Sequence, residues 1–375
     1  MNLNLTEDQK AVSDLAGQIL REKLPHERLR AIEADGSWFD EAAWSELAKA
    51  RLLAVGLPED IGGGGMGFLE TCLVLEQIGR TVAPLPYFTT VVLGAMPIDR
   101  FGSPEQRRAY LPAVADGNLI LTAALLEAGG ALPPARPRTR AIRDGDGWRI
   151  DGEKLYVGAA QLAAHVLVPA STKDDTVALF IVDMKNAGVQ LERVQVTTFE
   201  PQFNVRFEGA RVAAADVVGE PGAGADIVRW ISAHALTGLC AMQAGVCEQA
   251  LRMTAQYVSE REQFGTKIAT FQAVAHRAAD AYIDTAAITL TARLAAWSLA
   301  QGVPAEHLIA IAKFWAADGG QRVVHAAQHL HGGIGVDTDY PVHRYFRWAK
   351  QLELTMGGAH EHLLSLGDQL AEARV

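Results

Sequence analysis

The sequence predicts a mainly α-helical protein with a central β domain, built from three parts in chain order. Apolar residues recur at helical spacing near both ends of the chain, whereas the middle contains short apolar runs separated by Asp-Gly turns. We therefore expect an N-terminal helical domain over residues 1–117, a β domain over 118–222 and a helical bundle over 223–375.

The first part carries helix signals at its start and its end. Thr6 is a typical N-cap followed by acidic residues, and Pro104 lies at the first turn of a short helix after Ser103. Leu15, Ile19 and Leu20 form an apolar stripe at helical spacing, and a second stripe runs over 69–78. These patterns predict helices throughout the first domain.

The middle part has the alternation and turn signals of strands. Turns are predicted at Asp144–Gly147 and at Asp151-Gly152. The predicted β segments are 120–126, 140–143, 148–150, 164–169, 177–182, 197–208 and 212–218. The last part returns to long apolar-periodic segments over 227–261, 273–301 and 305–329, which is typical of a helix bundle.

Composition excludes several classes of function. The 375 residues include 34 Lys and Arg against 44 Asp and Glu, so the net charge of −10 disfavours nucleic-acid binding. No apolar stretch approaches the ~20 residues of a membrane helix. Cys72, Cys240 and Cys247 lack metal-ligand spacing, so we expect no metal site and structural thiols in a reducing cytoplasm.

Two motifs in the last third carry the chemistry. The first is Arg-Glu-Gln-Phe-Gly at Arg261–Gly265, continued by Phe271-Gln272, and the second is His-Leu-His-Gly-Gly-Ile-Gly at His329–Gly335. With Asp339-Tyr-Pro, Arg344 and Lys350, they resemble the acyl-CoA dehydrogenase family over nearly the whole chain. The resemblance implies a helical, β and helical-bundle fold, FAD as cofactor and a tetramer built on the bundle.

The resemblance also implies which residues bind the cofactor. Arg261 and Phe264 would reach across a dimer interface to the FAD of a neighbouring subunit, where a guanidinium suits phosphate oxygens and an aromatic ring packs on adenosine. Gly332 and Gly333 would let the backbone approach the pyrophosphate. Gln272 matches a further position near the dinucleotide, and His329 stands where the family usually has glutamine.

The residue that the family's chemistry most needs is missing. Its members remove the substrate α-proton with a glutamate, and the two positions that can carry it are Met356 and Ala235 here. Neither a thioether nor a methyl group accepts a proton, so we predict no catalytic residue. Glu353, three residues before Met356, is a weak substitute whose favoured interpretation is an exposed or ion-paired helix acid.

The β domain also lacks residues that the family uses to contact flavin and substrate. The stretch that contacts flavin and substrate is replaced by residues 127–135, which begin with Glu127. Tyr156-Val157-Gly158 stands where the family has Trp-Ile-Thr/Ser along the flavin ring, so no hydroxyl is present at Gly158. Gly358 likewise replaces a threonine that would face the cofactor.

Three hypotheses follow. The first is a subunit that completes the FAD site of a related, glutamate-bearing chain in a heterotetramer, as in bacterial steroid side-chain degradation, with an acyl-CoA or steroid-CoA substrate. The second is a self-sufficient homotetrameric flavoenzyme of β-oxidation, or a flavin oxidase or monooxygenase, with another base. The third is a scaffold without flavin. Relatives commonly pass electrons to an electron-transfer flavoprotein.

Overall fold

The computed structural model describes residues 4–173, 176–220 and 222–372. The order of elements is helical, then β, then helical, which confirms the predicted fold class. The chain packs as two compact units, one from the described residues of Met1–Ala31, Phe68–Ala83 and Leu236–Val375 and the other from Ile32–Gly67 and Pro84–Ala235. The two boundaries between the three predicted domains, at 117 and 222, stay a prediction, although the secondary structure changes close to both.

Six α-helices precede the sheet, and the first and the last of them start at the predicted capping signals. Thr6 and Gln9 form a reciprocal capping box at the first helix, and Ser103 and Gln106 form another before Pro104. A π-helical segment, Phe88–Ala95, precedes the fifth helix. The helices are α1 Glu7–Lys23, α2 His26–Asp35, α3 Glu41–Lys49, α4 Phe68–Thr81, α5 Met96–Phe101 and α6 Pro104–Ala115.

The middle of the chain forms one eight-stranded sheet, mostly antiparallel, around a core that includes Ile150, Phe180 and Phe207. Its main path runs β6-β7-β3-β2-β4-β5-β8, and β1 pairs in parallel with β4. The strands are β1 Leu121–Ala123, β2 Arg140–Asp144, β3 Gly147–Gly158, β4 His165–Ser171, β5 Val177–Asp183, β6 Val189–Val194, β7 Gln202–Val212 and β8 Val217–Val218.

Two details of the predicted sheet are wrong. Asp151-Gly152 is not a turn but an irregularity inside β3, where the register with β7 shifts between Ile150 and Gly152. Gly152 has φ +149°, and a Cβ there would lie 2.6 Å from Thr139 Cα, so only glycine fits. In addition, β6 was not predicted, because its alternation of apolar and polar residues is short and four of its six residues are exposed.

The last third is a helical bundle. Its helices are α7 Gly224–Glu260, α8 Gln272–Ala300, α9 Glu306–Phe314, α10 Gly320–His331, α11 Val342–Leu354 and α12 Ala359–Glu372. Two glycines let α4 and α7 cross with their backbones in contact. A Cβ on Gly79 would lie 2.0 Å from Met242 O, and one on Gly245 would lie 1.9 Å from Glu76 O. No helix in the described part of the chain is long and apolar enough to cross a membrane.

Candidate cofactor site and the position of the missing base

The Arg261 motif forms a small hairpin rather than the end of a helix. Helix α7 stops at Glu260, and β9 Glu262–Gln263 pairs with β10 Thr266–Lys267 around a two-residue turn. Both turn residues have positive φ, +54° at Phe264 and +76° at Gly265, as a type I′ turn requires. The turn presents Phe264 with 92% of its surface exposed.

The hairpin tip is an unusual place for a phenylalanine. A bulky residue with positive φ is strained, and a fully exposed ring exposes apolar area to water. The ring has one aromatic neighbour, Phe271, edge-on at 6.1 Å between centroids. Backbone strain of this kind is common at functional sites, so the geometry indicates that the hairpin tip is a binding surface. Gln272 follows immediately as the first residue of α8.

The glycine motif ends α10 with open backbone. Gly332 has φ +63° and Gly333 follows it, and a Cβ added to either would meet no atom within 4 Å. His329 lies exposed on the last turn of α10. Bare, exposed backbone at a helix end can approach a phosphate group closely.

A buried stack holds the two motifs together. His331 is 3% exposed, and its ring lies 4.6 Å from the ring of Tyr257, one turn before Arg261 on α7. The Tyr340 ring packs on the same imidazole at 5.2 Å. His331 Nδ1 donates to Ala327 O at 2.7 Å, and burial lowers the pKa of the imidazole. His331 lies within the glycine motif, but no local sequence pattern predicts this anchoring role.

Tyr156 and Gly158 lie at the end of β3, in the other compact unit. Tyr156 has φ +54° and is more than half exposed, and the register with β7 shifts between Lys154 and Val157. Gly158 O accepts a hydrogen bond from Thr122 Oγ1 at 2.8 Å. A Cβ on Gly158 would lie 3.3 Å from Thr89 Cγ2, so a larger residue needs Thr89 to shift.

Beside them lies a buried ion pair that sequence analysis missed. Lys154 Nζ donates to Glu127 Oε1 at 2.7 Å, and both side chains are almost fully buried. The Glu127 carboxylate also accepts from Arg138 N, Thr139 N and Thr139 Oγ1. Burial alone would raise the Glu127 pKa, but the Lys154 ammonium and these donors outweigh it and lower the pKa. Glu127 therefore fixes the start of the altered 127–135 stretch.

Met356 occupies a tight, strained turn after α11. It has φ +56° and is followed by Gly357 at φ +89°, and its side chain is buried. His362 Nε2 lies 2.9 Å from Met356 O and holds the turn. Ala235, the alternative position, is fully buried within α7. Both positions thus present only apolar side chains.

The carboxylate of Glu353 forms an ion pair with Lys350. Lys350 Nζ donates to its Oε2 at 2.6 Å, within α11. The buried Lys313 donates from Nζ to Leu352 O at 2.7 Å and to Glu353 O at 3.1 Å, which caps the end of α11. Burial lowers the pKa of Lys313 to about 8. The two lysines fix this helix end directly before Met356.

Comparison with known proteins identifies the family. The model of the acyl-CoA dehydrogenase N-terminal domain matches residues 6–118, and that of the C-terminal domain matches 222–370. Acyl-CoA dehydrogenase FadE27 of Mycobacterium tuberculosis is 38% identical over 99% of this chain and 99% of its own length.

Solved structures agree over the whole fold. A variant of the steroid ACAD Tcur3481-Tcur3483 is 43% identical, with a TM-score of 0.91 over 98% of this chain and 99% of that chain. A chain of the ChsE4-ChsE5 complex from Mycobacterium tuberculosis is 38% identical, with a TM-score of 0.92 over 99% of each. The chain therefore belongs to the acyl-CoA dehydrogenase family, whose members are flavoproteins with FAD as cofactor, as its motifs predicted.

Proposed function

We propose that this chain is an acyl-CoA dehydrogenase subunit that lacks its own catalytic base and completes the FAD site of a glutamate-bearing partner chain. The substrate of that assembly would be an acyl-CoA thioester, of the steroid-CoA class. The observation that carries the proposal is the buried Met356, which replaces the proton acceptor while its strained turn is retained.

The residues that face a neighbour still suit a dinucleotide. Arg261 offers a guanidinium to phosphate oxygens, the exposed Phe264 ring offers an apolar face, and Gly332 and Gly333 leave room for close approach. These groups would hold the adenosine diphosphate half of FAD, together with Gln272 and His329. FAD, when bound, supplies the acceptor for the hydride that leaves the substrate β-carbon.

This chain's own residues offer no route for the α-proton. Met356 and Ala235 cannot accept it, and Glu353 is paired with Lys350. A general base typically contributes ~10²–10⁴-fold to such a reaction, so its loss is decisive unless another chain supplies it. Two similar structures support a paired assembly, since one is the ChsE4-ChsE5 complex and the other is the steroid ACAD Tcur3481-Tcur3483.

The test compares the chain alone with the chain co-expressed with a related chain that carries the glutamate. We expect dye reduction with a panel of acyl-CoA and steroid-CoA thioesters from the pair only. FAD absorbance should give one flavin per two chains in the pair. Robust turnover by the chain alone would instead support a self-sufficient enzyme, and flavin in neither preparation would support a scaffold.

Arg261→Ala gives the second arm of the test. Loss of a charge-assisted phosphate contact should weaken FAD retention by roughly 1.5–3 kcal/mol, measured by FAD titration of the co-expressed pair. Arg108→Ala is the matched control, because Arg108 is an exposed arginine whose only ion pair in the described part of the chain is with Glu105. Equal FAD affinity in the two variants would remove Arg261 from the site.

A further inference from the structure

A basic cavity lies within the helical unit, and none of the residues assigned to FAD lines it. It has a volume of about 310 Å³. No acidic side chain lines it among the described residues, whereas several cationic or polar ones do: Arg21, His26, Arg80, Arg252, Arg344 and Tyr345. A cavity lined by one sign of charge concentrates ions of the opposite sign.

Hydrogen bonding around the cavity fixes the tautomer of His26. The Arg344 guanidinium has only donors, and its Nη1 lies 2.8 Å from His26 Nδ1. Nδ1 must therefore accept, so the proton of the neutral ring resides on Nε2. That Nε2 is buried and has no hydrogen-bond partner in the described structure. His26 thus contributes an unsatisfied donor.

Arg80 contributes a second unsatisfied donor. Its Nη2 is paired with Glu76 at 3.1 Å and also with Glu248, and its carbonyl accepts from Tyr345 Oη at 2.9 Å. Its Nε, however, is buried without a partner in the described structure. A buried donor left unpaired is unfavourable, so two such donors beside one cavity favour the entry of a ligand with acceptor atoms.

The charge balance points the same way. Glu76 and Glu248 pair with Arg80, and Glu76 also pairs with Arg293. Within the described part of the chain, Arg21 and Arg252 form no ion pair. Both of these arginines are exposed. Neither His26 Nε2 nor Arg80 Nε is exposed to solvent in this conformation. A ligand can therefore reach these two nitrogens only when neighbouring side chains change rotamer, which long, exposed arginine side chains can do.

We propose that this cavity binds a phosphate group. Phosphate offers several acceptor oxygens and a double negative charge, which match the unpaired donors of His26 and Arg80 and the guanidinium groups of Arg21 and Arg252. The group can belong to inorganic phosphate or to a small phosphate monoester, since both present the same oxygens to the same donors.

The experiment measures the unfolding temperature of the FAD-loaded assembly against inorganic phosphate or glycerol phosphate, with chloride at matched ionic strength. We expect a rise of about 3 °C at saturation in the wild type. The rise should disappear in Arg21→Met/Arg252→Met, whose substituted residues are exposed and therefore leave folding intact. A response to inorganic phosphate alone would identify free phosphate as the ligand, and a stronger response to the ester would identify a monoester.

Two controls separate this cavity from other phosphate sites. Arg261→Ala should keep the full response, because Arg261 belongs to the proposed FAD surface. Arg108→Met should also keep it. An equal rise in the double variant, or no phosphate-specific rise in the wild type, would overturn the proposal, whatever the outcome for FAD binding.

Discussion

Backbone strain marks several residues that the sequence motifs single out. Eight non-glycine residues in the described chain have positive φ, and three of them are Tyr156, Phe264 and Met356. Such conformations cost of order 1–3 kcal/mol each and persist where the surrounding structure imposes them. Met356 has a strained backbone although its side chain cannot act as a base, which is consistent with the proposal that this chain has lost the reaction.

Lys154 tests the energetics of the buried pair with Glu127. Lys154→Met should lower the free energy of unfolding by about 3–5 kcal/mol, because it leaves a carboxylate buried without its counter-charge. Arg206→Met is the matched control. Arg206 pairs with Glu153 at 3.4 Å on the exposed face, so its loss should cost at most about 1 kcal/mol. Urea unfolding measures both, and equal losses would contradict the assignment.

Lys313 predicts a specific pH dependence. Its pKa of about 8 in the folded state lies below the 10.5 of an unperturbed lysine, because burial disfavours the ammonium. Between these values the unfolded state binds more protons, so this residue makes stability rise with pH from about 8 to about 10. The shift corresponds to on the order of 3 kcal/mol.

The measurement is the difference between wild type and Lys313→Met across that range. A difference is needed because burial raises the pKa of Cys240 and of Cys247, which makes stability fall with pH in the same region. Lys49→Met, at an exposed lysine, controls for the loss of a lysine. Stability curves for wild type and Lys313→Met that run parallel from pH 7 to 10 would show that Lys313 does not titrate there.

At the scale of elements, periodic segments could be predicted and irregular ones could not. The long helices and the strands at 140–144, 165–171 and 177–183 follow from apolar period and turn residues. Strand β6 is mostly exposed and is held by its pairing with β7 along Val189–Val194, so burial imposes no apolar pattern on it. Sequence patterns do not report such pairing.

The hairpin at Phe264 could not be predicted from the sequence for a related reason. The usual sequence signal of a two-residue hairpin turn is Asn-Gly or Asp-Gly, whereas this turn is formed by Phe-Gly. The motif predicts which residues bind FAD, whereas the geometry of the hairpin tip is visible only in the structure. The buried contacts of Lys154 with Glu127 and of His331 with Tyr257 join residues far apart in the chain, so no local pattern reveals them.

Gly333 tests the glycine segment after α10. A Cβ at this position meets no atom within 4 Å, and the residue does not have positive φ, so Gly333→Ala should leave the fold intact. If the backbone there approaches the pyrophosphate, the added methyl group should weaken FAD binding at least tenfold in the co-expressed pair. Gly367→Ala, equally unobstructed within α12, should leave FAD affinity unchanged. Unaltered FAD affinity in Gly333→Ala would place the pyrophosphate elsewhere.

At the scale of the whole molecule, the changes are unevenly distributed. The residues assigned to a neighbour's cofactor, including Arg261 and Gln272, match the family. Those assigned to the chain's own flavin and substrate, including Gly158, Met356 and Gly358, do not. The assembly of two related chains proposed above would explain this asymmetry, because each FAD would then take one intact face from each partner. The acidic net charge of −10 fits such a role, which requires no nucleic acid.

Restoring the acid alone should not restore the enzyme. In Met356→Glu the carboxylate would occupy the buried turn that follows α11. The chain would still lack the hydroxyl groups that the family resemblance predicts near flavin at Gly158 and Gly358. We therefore expect the isolated variant to remain nearly inactive in dye reduction, whereas wild-type chain with a glutamate-bearing partner is active.

The pair also supplies the control for this prediction. If the partner's glutamate is the base, replacing it with glutamine should lower turnover of the pair by ~10²–10⁴-fold, and Met356→Glu in this chain should not rescue it. FAD content, measured by absorbance, should stay constant across these variants, so a loss of activity reports on proton removal and not on cofactor binding. Substantial turnover by isolated Met356→Glu would mean that this chain retains a complete flavin site and has lost only its base.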